Sequence, residues 1–195
     1  MSRSCRTVHG ARVSLALLLV ASLPVAAAEP AGLVLARDGK AALPVVVSAK
    51  ASPEIRQVAD ELAAILMQMT GAAFEVAAGD GASGIVLGTI EQFPCPDLAK
   101  DLEIRDGIDG REAYAIRTEP RRLLLLGATD LGVSHAAFRF LETQGCRWLF
   151  PAPEWTVIPS VPALRVGVNE ASRPAYLSRR IWYGWGFFDK PSSTD

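Results

Sequence analysis

The chain has 195 residues, half of them hydrophobic and 21% charged, with 20 Lys+Arg against 21 Asp+Glu. That balance excludes an intrinsically disordered chain and a globally basic protein that tracks nucleic-acid phosphates. The length excludes a complete (β/α)8 barrel, which takes about 250 residues.

Arg3, Arg6 and Arg12 make a cationic start, residues 13–25 are almost wholly apolar, and Ala26, Ala27 and Ala28 place small residues before Glu29. This three-part layout predicts a secretory signal peptide over residues 1–28. A membrane span fits less well, because the apolar run is interrupted by Pro24 and falls short of the roughly 20 residues that cross a bilayer. The expectation is an exported protein, periplasmic or extracellular, with no stable membrane anchor after cleavage. The first 28 residues hold three Arg and no acid, so the remainder carries 17 Lys+Arg against 21 Asp+Glu, a formal charge of −4. It keeps Cys95 and Cys146, which an oxidising compartment permits to pair but which serve equally as buried apolar thiols. With His135 as the one remaining histidine, no Cys/His spacing suits a metal, and no motif implies a cofactor.

Residues 32–37 (GLVLAR) and 43–48 (LPVVVS) are short β-branched runs around the turn signal Asp38-Gly39, and predict a hairpin or two neighbouring strands. Ser52-Pro53-Glu54 then combines an N-cap, a proline at the first helical position and an early acid. Apolar residues from Ile55 to Met69 recur on one helical stripe, and Gly71 suits the helix end. Strands are predicted over 73–77, 84–89 (GIVLGT), 112–118 (EAYAIRT) and 122–127 (RLLLLG), the last two forming an antiparallel pair around Glu119-Pro120-Arg121. Between 89 and 112 the prolines and Asp-Gly pairs predict a surface loop with one short helix near 97–102. A second helix is expected from Asp130, as N-cap, to Gln144, with Gly145 ending it. Its buried side is Val133, Ala136, Ala137, Phe140 and Leu141, and His135, Arg139 and Glu142 lie opposite. An aromatic run, 146–151, and four prolines follow, then one more strand over 163–168.

Two substantial helices are too few to cover both faces of a parallel sheet. The fold class expected is therefore an α/β (α+β) two-layer sandwich, a mixed sheet with both helices on one face, over residues 29–168.

Motifs that carry chemistry are sparse. LLLLGATD, 123–130, is a strand-glycine-helix junction, but it has one glycine at the turn and Asp130 at the cap, which repels phosphate. It is read as a tight turn before a self-capped helix. His135 shares its face with Arg139 and Glu142 and is read as a solvated or interface residue. Asp106 and Asp109 each precede glycine in a turn, a weak basis for the paired carboxylates of glycoside hydrolysis. Residues 169–195 form a linker and an aromatic-rich tail with Tyr176, Trp182, Tyr183, Trp185, Phe187 and Phe188 following or flanking Arg179-Arg180. Flat rings beside polar groups suit sugar contact, with Arg180, Trp182 and Trp185 as candidates; the same aromatics equally suit the core of a following domain.

Gly71, Leu87-Gly88, Tyr114, Ile116, Gly127, Thr129, Gly132, Phe140-Leu141-Glu142, the turn Gly145-Cys146-Arg147-Trp148 and Pro151 together carry a family likeness. In these residues the chain resembles the N-terminal α/β accessory domain that precedes the barrel in secreted α-glucuronidases and β-N-acetylhexosaminidases. The look is closest to proteins carrying domain of unknown function 4838. The chain departs from the pattern in having Asp130-Leu131 where the family usually shows an Arg before the helix glycine. The resemblance implies that the tail is the first strand of a TIM barrel and that catalytic carboxylates belong to that barrel, so no catalytic residue is carried over. It also implies an intramolecular barrel partner and, through it, carbohydrate.

The function expected is a non-catalytic N-terminal domain of an exported glycoside-hydrolase-like protein, with the chain stopping before the barrel is complete. The alternative is a stand-alone carbohydrate-binding or scaffold protein, and a small independent hydrolase is a third.

Overall fold

The computed structural model describes residues 32–150 and 152–176. The expected signal peptide, Arg180, Trp182, Trp185 and the expected barrel strand lie outside the described residues. Among the described residues no helix is long and apolar enough to cross a membrane.

Strand β1 (Leu33–Arg37) turns through Asp38 and Gly39, with φ of 54° and 71°, into the two-residue strand β2 (Lys40–Ala41). Two successive positive φ values define the hairpin turn that Asp-Gly favours. The expected partner run does not complete this hairpin. Its apolar part becomes β3 (Val45–Val47), which leaves for a different sheet. Pro44, which has no N–H to offer a ladder, stands at the departure, and its carbonyl accepts from Ile85 N at 2.8 Å.

Helix α1 (Pro53–Thr70) has the caps its sequence promises. Ser52 Oγ accepts from Ile55 N at 3.1 Å, and Gly71 at φ 74° donates to the Met67 carbonyl. β4 (Val76–Ala78), β5 (Gly84–Thr89), the short helix α2 (Pro96–Ala99), β6 (Tyr114–Thr118) and β7 (Arg122–Gly127) follow. Helix α3 (Asp130–Thr143) comes next, then β8 (Arg147–Trp148), a 3-10 turn, β9 (Thr156–Val157), β10 (Leu164–Val166) and β11 (Asn169–Ser172). β11, a polar edge strand, is absent from the sequence reading.

The main sheet has the order β11-β6-β7-β5-β3-β4, with β4, β3, β5 and β7 parallel and β6 antiparallel to both its neighbours. β10-β1-β2 and β8-β9 are separate small sheets. Side chains alternate across the main sheet with period two. Val45, Val47, Ile85, Leu87, Leu123 and Leu125 face α1 and α3 in the larger core. Val46, Val86, Leu124 and Leu126 face the other way. Both helices thus cover one face of a mixed sheet, as expected for the sandwich. The opposite face is not left to solvent: Phe93, Leu98 and Leu102, from the segment expected to be a surface loop, close a second core over it. The physical reason is that β5 and β7 are apolar on both faces, and an uncovered face would cost about 25 cal/mol for each Å² of apolar surface left in water.

Cys146 is buried on the helix face and Cys95 borders the core on the other. Both thiols are free, so the open question of pairing resolves to separate thiols on opposite sides of the sheet.

Candidate functional site

The turn singled out by sequence, Gly145 to Trp148, closes α3. Gly145 N donates to the Glu142 carbonyl at 3.0 Å and Cys146 N to the Leu141 carbonyl at 3.1 Å. This pair of bonds is the Schellman arrangement that satisfies the last carbonyls of a helix, and it needs a left-handed residue, supplied by Gly145 at φ 100°. An added Cβ would meet only Pro159 Cγ at 3.4 Å, ordinary contact, so backbone strain alone penalises a side chain there. Gly145→Ala is expected to cost about 1–2 kcal/mol, read as a lower urea midpoint with an unchanged slope.

Each remaining residue of the turn has a distinct task. Cys146 is fully buried with Sγ 3.7 Å from Met69 Sδ, tying the turn to the end of α1. Burial pushes its thiol pKa up, partly offset by Arg147, so it packs as a small apolar group. Arg147 Nη1 donates to the carbonyls of Glu142 at 2.7 Å and Cys146 at 2.6 Å, a cation against the negative end of α3. Trp148 packs against Phe138 with centroids 5.3 Å apart and ring planes at 80°, which holds the indole in place.

The hairpin that begins here has two faces. Arg147 pairs with Val157 and Trp148 with Thr156, so Trp148 and Thr156 share one side while Leu149, Trp155 and Val157 take the other. On the first side, Trp148, Thr156 and Ile158 form one wall of a cleft of about 690 Å3. The other wall is a single helical stripe of α1, Glu61, Ala64, Ile65 and Gln68. Among the described residues Glu61 and Gln68 have no hydrogen-bond or ion-pair partner. On the second side, Leu149, Trp155 and Val157 are 65%, 54% and 48% exposed, with Phe150 beside Trp155 at 6.3 Å between centroids.

The other sequence candidates are scattered and engaged. Asp106, at φ 50°, and Gly107 form the tip of a small turn closed by reciprocal backbone bonds between Arg105 and Asp109. Asp109 accepts from Arg173 Nη1 at 3.2 Å, and the same guanidinium donates to the carbonyls of Asp101 and Glu103. Asp109 is thus a fastener for the chain leaving β11. Asp130 is not the cap of α3: it is the first helical residue, and Thr129 stands at the cap with its hydroxyl donated to the Arg111 carbonyl. The LLLLGATD glycine serves packing, because the first turn of α3 lies directly against Gly127.

On the outer face of α3, Glu170 of β11 accepts from Tyr114 Oη at 2.9 Å and Arg139 Nε at 3.0 Å. The Arg139 bond holds the Glu170 carboxyl below its ordinary range, while burial raises the Tyr114 phenol. His135 Nδ1 sits 3.4 Å from the Glu112 carbonyl and 3.9 Å from its carboxylate, and burial lowers its pKa. A histidine depressed in the folded state favours folding fully above its unfolded value of about 6.5, and loses that contribution as pH falls through the folded value. Glu170 adds a second loss at lower pH, below the unfolded carboxylate range. Thermal melts from pH 8 to pH 4 are expected to fall first below pH about 6.5, and His135→Gln is expected to flatten that first step while leaving the acid step.

Among the described residues no group of His, Cys, Asp and Glu is arranged to hold a metal ion. No family model matches the chain, and no curated protein matches it. Several solved structures are similar, two glycoside hydrolases among them. One is a family GH115 4-O-methyl-α-glucuronidase with specificity for decorated arabinogalactans, at 19% identity and a TM-score of 0.48, over 68% of this chain and 18% of that one. The other is the GH20 β-N-acetylhexosaminidase from Streptomyces coelicolor A3(2), at 20% identity and a TM-score of 0.44, over 74% of this chain and 24% of that one. The chain therefore spans about a fifth to a quarter of the length of the structures it matches.

Proposed function

We propose that residues 29–168 form a non-catalytic accessory domain of an exported, glycoside-hydrolase-like protein, bracing a catalytic barrel. The observation that carries this reading is the outward face of the β8–β9 hairpin. Leu149, Phe150, Trp155 and Val157 stand in solvent on a domain whose own two cores are already closed. An exposed apolar patch of that kind suits contact with another protein surface. The occupant we assign is the barrel that the family resemblance, including its look of proteins carrying domain of unknown function 4838, implies on the same chain. Support also comes from the polar groups: His135, Asp109 and Glu170 are each engaged in a contact that holds an element in place. Arg180, Trp182 and Trp185 remain the candidates for sugar contact where the barrel begins.

Two measurements test the reading. N-terminal sequencing of exported protein is expected to begin at Glu29; an uncleaved N-terminus on protein retained in the cytoplasm contradicts export. Purified protein is expected to release no chromophore from nitrophenyl glycosides, including uronides and N-acetylhexosaminides. Turnover abolished by His135→Ala or Asp109→Ala contradicts the accessory role and favours a small hydrolase. A stand-alone carbohydrate-binding protein is the second reading, favoured by the uncommitted polar groups of the cleft beside α1.

A further inference from the structure

We propose that the cleft between α1 and the β8–β9 hairpin binds a neutral sugar ring. The choice of a sugar among amphipathic ligands rests on the carbohydrate-associated reading above; the cleft itself does not. A pyranose presents an apolar C–H face and a rim of hydroxyls, so a site for it needs an aromatic platform that does not move and a few unspent polar groups around it. Trp148 is that platform. Its indole lines the cleft, is 38% exposed, and is held from behind by the T-shaped contact with Phe138. A rigid aromatic surface loses little entropy on binding.

The polar rim comes from the opposite wall. Glu61 and Gln68 lie two turns apart on one stripe of α1, so their heads flank the same space, and Thr156 projects from the hairpin beside Trp148. Between them they offer a carboxylate that accepts, an amide that both donates and accepts, and a hydroxyl. The cleft volume of about 690 Å3 falls within the range of small-molecule sites and admits one or two sugar rings. Charge makes the assignment narrower. Among the described residues one carboxylate and no cationic side chain line the cleft, so an acidic sugar would bring like charge to Glu61 with no described cation to compensate it. The site is therefore selective for neutral rings over uronic acids.

The test is calorimetric titration of the purified protein with malto-, cello-, xylo-, manno- and chito-hexaose, and with oligogalacturonate as the acidic probe at low salt. The expected result is saturable binding of at least one neutral hexaose and at least tenfold weaker binding of oligogalacturonate. Trp148→Ala is expected to weaken the neutral ligand at least tenfold. Because that change also touches Phe138, Gln68→Ala and Glu61→Gln serve as exposed helix substitutions that leave the fold intact; the first is expected to weaken binding severalfold, and the second to narrow the neutral-over-acidic preference. Absence of binding by every neutral hexaose, preference for oligogalacturonate, or binding that none of the three substitutions changes overturns the proposal. If no hexaose binds and no nitrophenyl glycoside is cleaved, the cleft assignment fails while the accessory role stands; cleavage removes the accessory role whatever binds.

Discussion

Gly132→Ala is expected to destabilise the domain by about 3 kcal/mol, near the upper end for overpacking a core, although the same change at an ordinary helical site stabilises by up to about 1 kcal/mol. The reversal of sign follows from what surrounds the residue. A Cβ at Gly132 would collide with the Ala113 carbonyl oxygen, and it would lie 3.2 Å from the Gly127 Cα. Those obstacles are backbone, so no side chain can rotate away. The Ala113 carbonyl is moreover held in place, accepting from Ala128 N at 2.9 Å. Helix α3 can relieve the clash only by lifting its first turn from the end of β7, which would expose Val133 and Ala136 from the helix-face core. Urea unfolding followed by circular dichroism is the check, with the midpoint expected to fall at constant slope. A rise in midpoint would mean that α3 does not sit on the Ala113 carbonyl.

Phe140→Ala carries a loss of about 3–5 kcal/mol, the range for emptying a buried aromatic site. Phe140 is fully buried in the middle of the core shared by α1, α3 and the sheet, and is among the largest side chains so enclosed. Against a total stability of about 5–15 kcal/mol, a loss of that size removes a large share of the folding free energy. Phe138 is the internal control. It lies two residues earlier on the same helix, is only partly buried against that core, and also packs against Trp148. Phe138→Ala is therefore expected to cost clearly less in urea midpoint while loosening the β8–β9 hairpin. Equal losses at 138 and 140 would show that the hairpin contact is as central as the core.

The elements legible in the sequence are those whose determinants are local. α1 carries its own start and stop in Ser52, Pro53 and Gly71, and the structure uses all three. The unbroken apolar runs of β5 and β7 and the turn at Glu119-Pro120-Arg121 likewise settle into strands with the expected bounds. The misplacements are choices decided at long range. Whether the run containing Val45–Val47 folds back on β1 or crosses to the parallel sheet depends on β5, nearly forty residues later. β11 has no apolar alternation to announce it, and its place comes from backbone pairing with β6 and from the Arg139–Glu170 bond. The cover over the second face did leave a trace: strands apolar on both sides require something on both sides, and Phe93, Leu98 and Leu102 were available to supply it. Of the candidate site, the Gly145–Trp148 turn was visible as a helix stop followed by an aromatic. The cleft was not. Glu61 and Gln68 sit on the polar stripe of an amphipathic helix, where solvation is the ordinary expectation, and only the folding-over of the hairpin makes them a wall.

The proposed accessory domain cleaves no glycosidic bond, and its proposed cleft beside Trp148 holds a neutral sugar ring intact. The most direct measurement is a two-dimensional NMR titration of the purified, 15N-labelled protein with a neutral hexaose, followed for a day in the same tube. The Trp148 indole and Gln68 side-chain amide signals are expected to move saturably while the reducing-end signals of the hexaose stay constant. New reducing-end signals would contradict the non-catalytic role, and shifts that leave Trp148 and Gln68 unmoved would contradict the cleft.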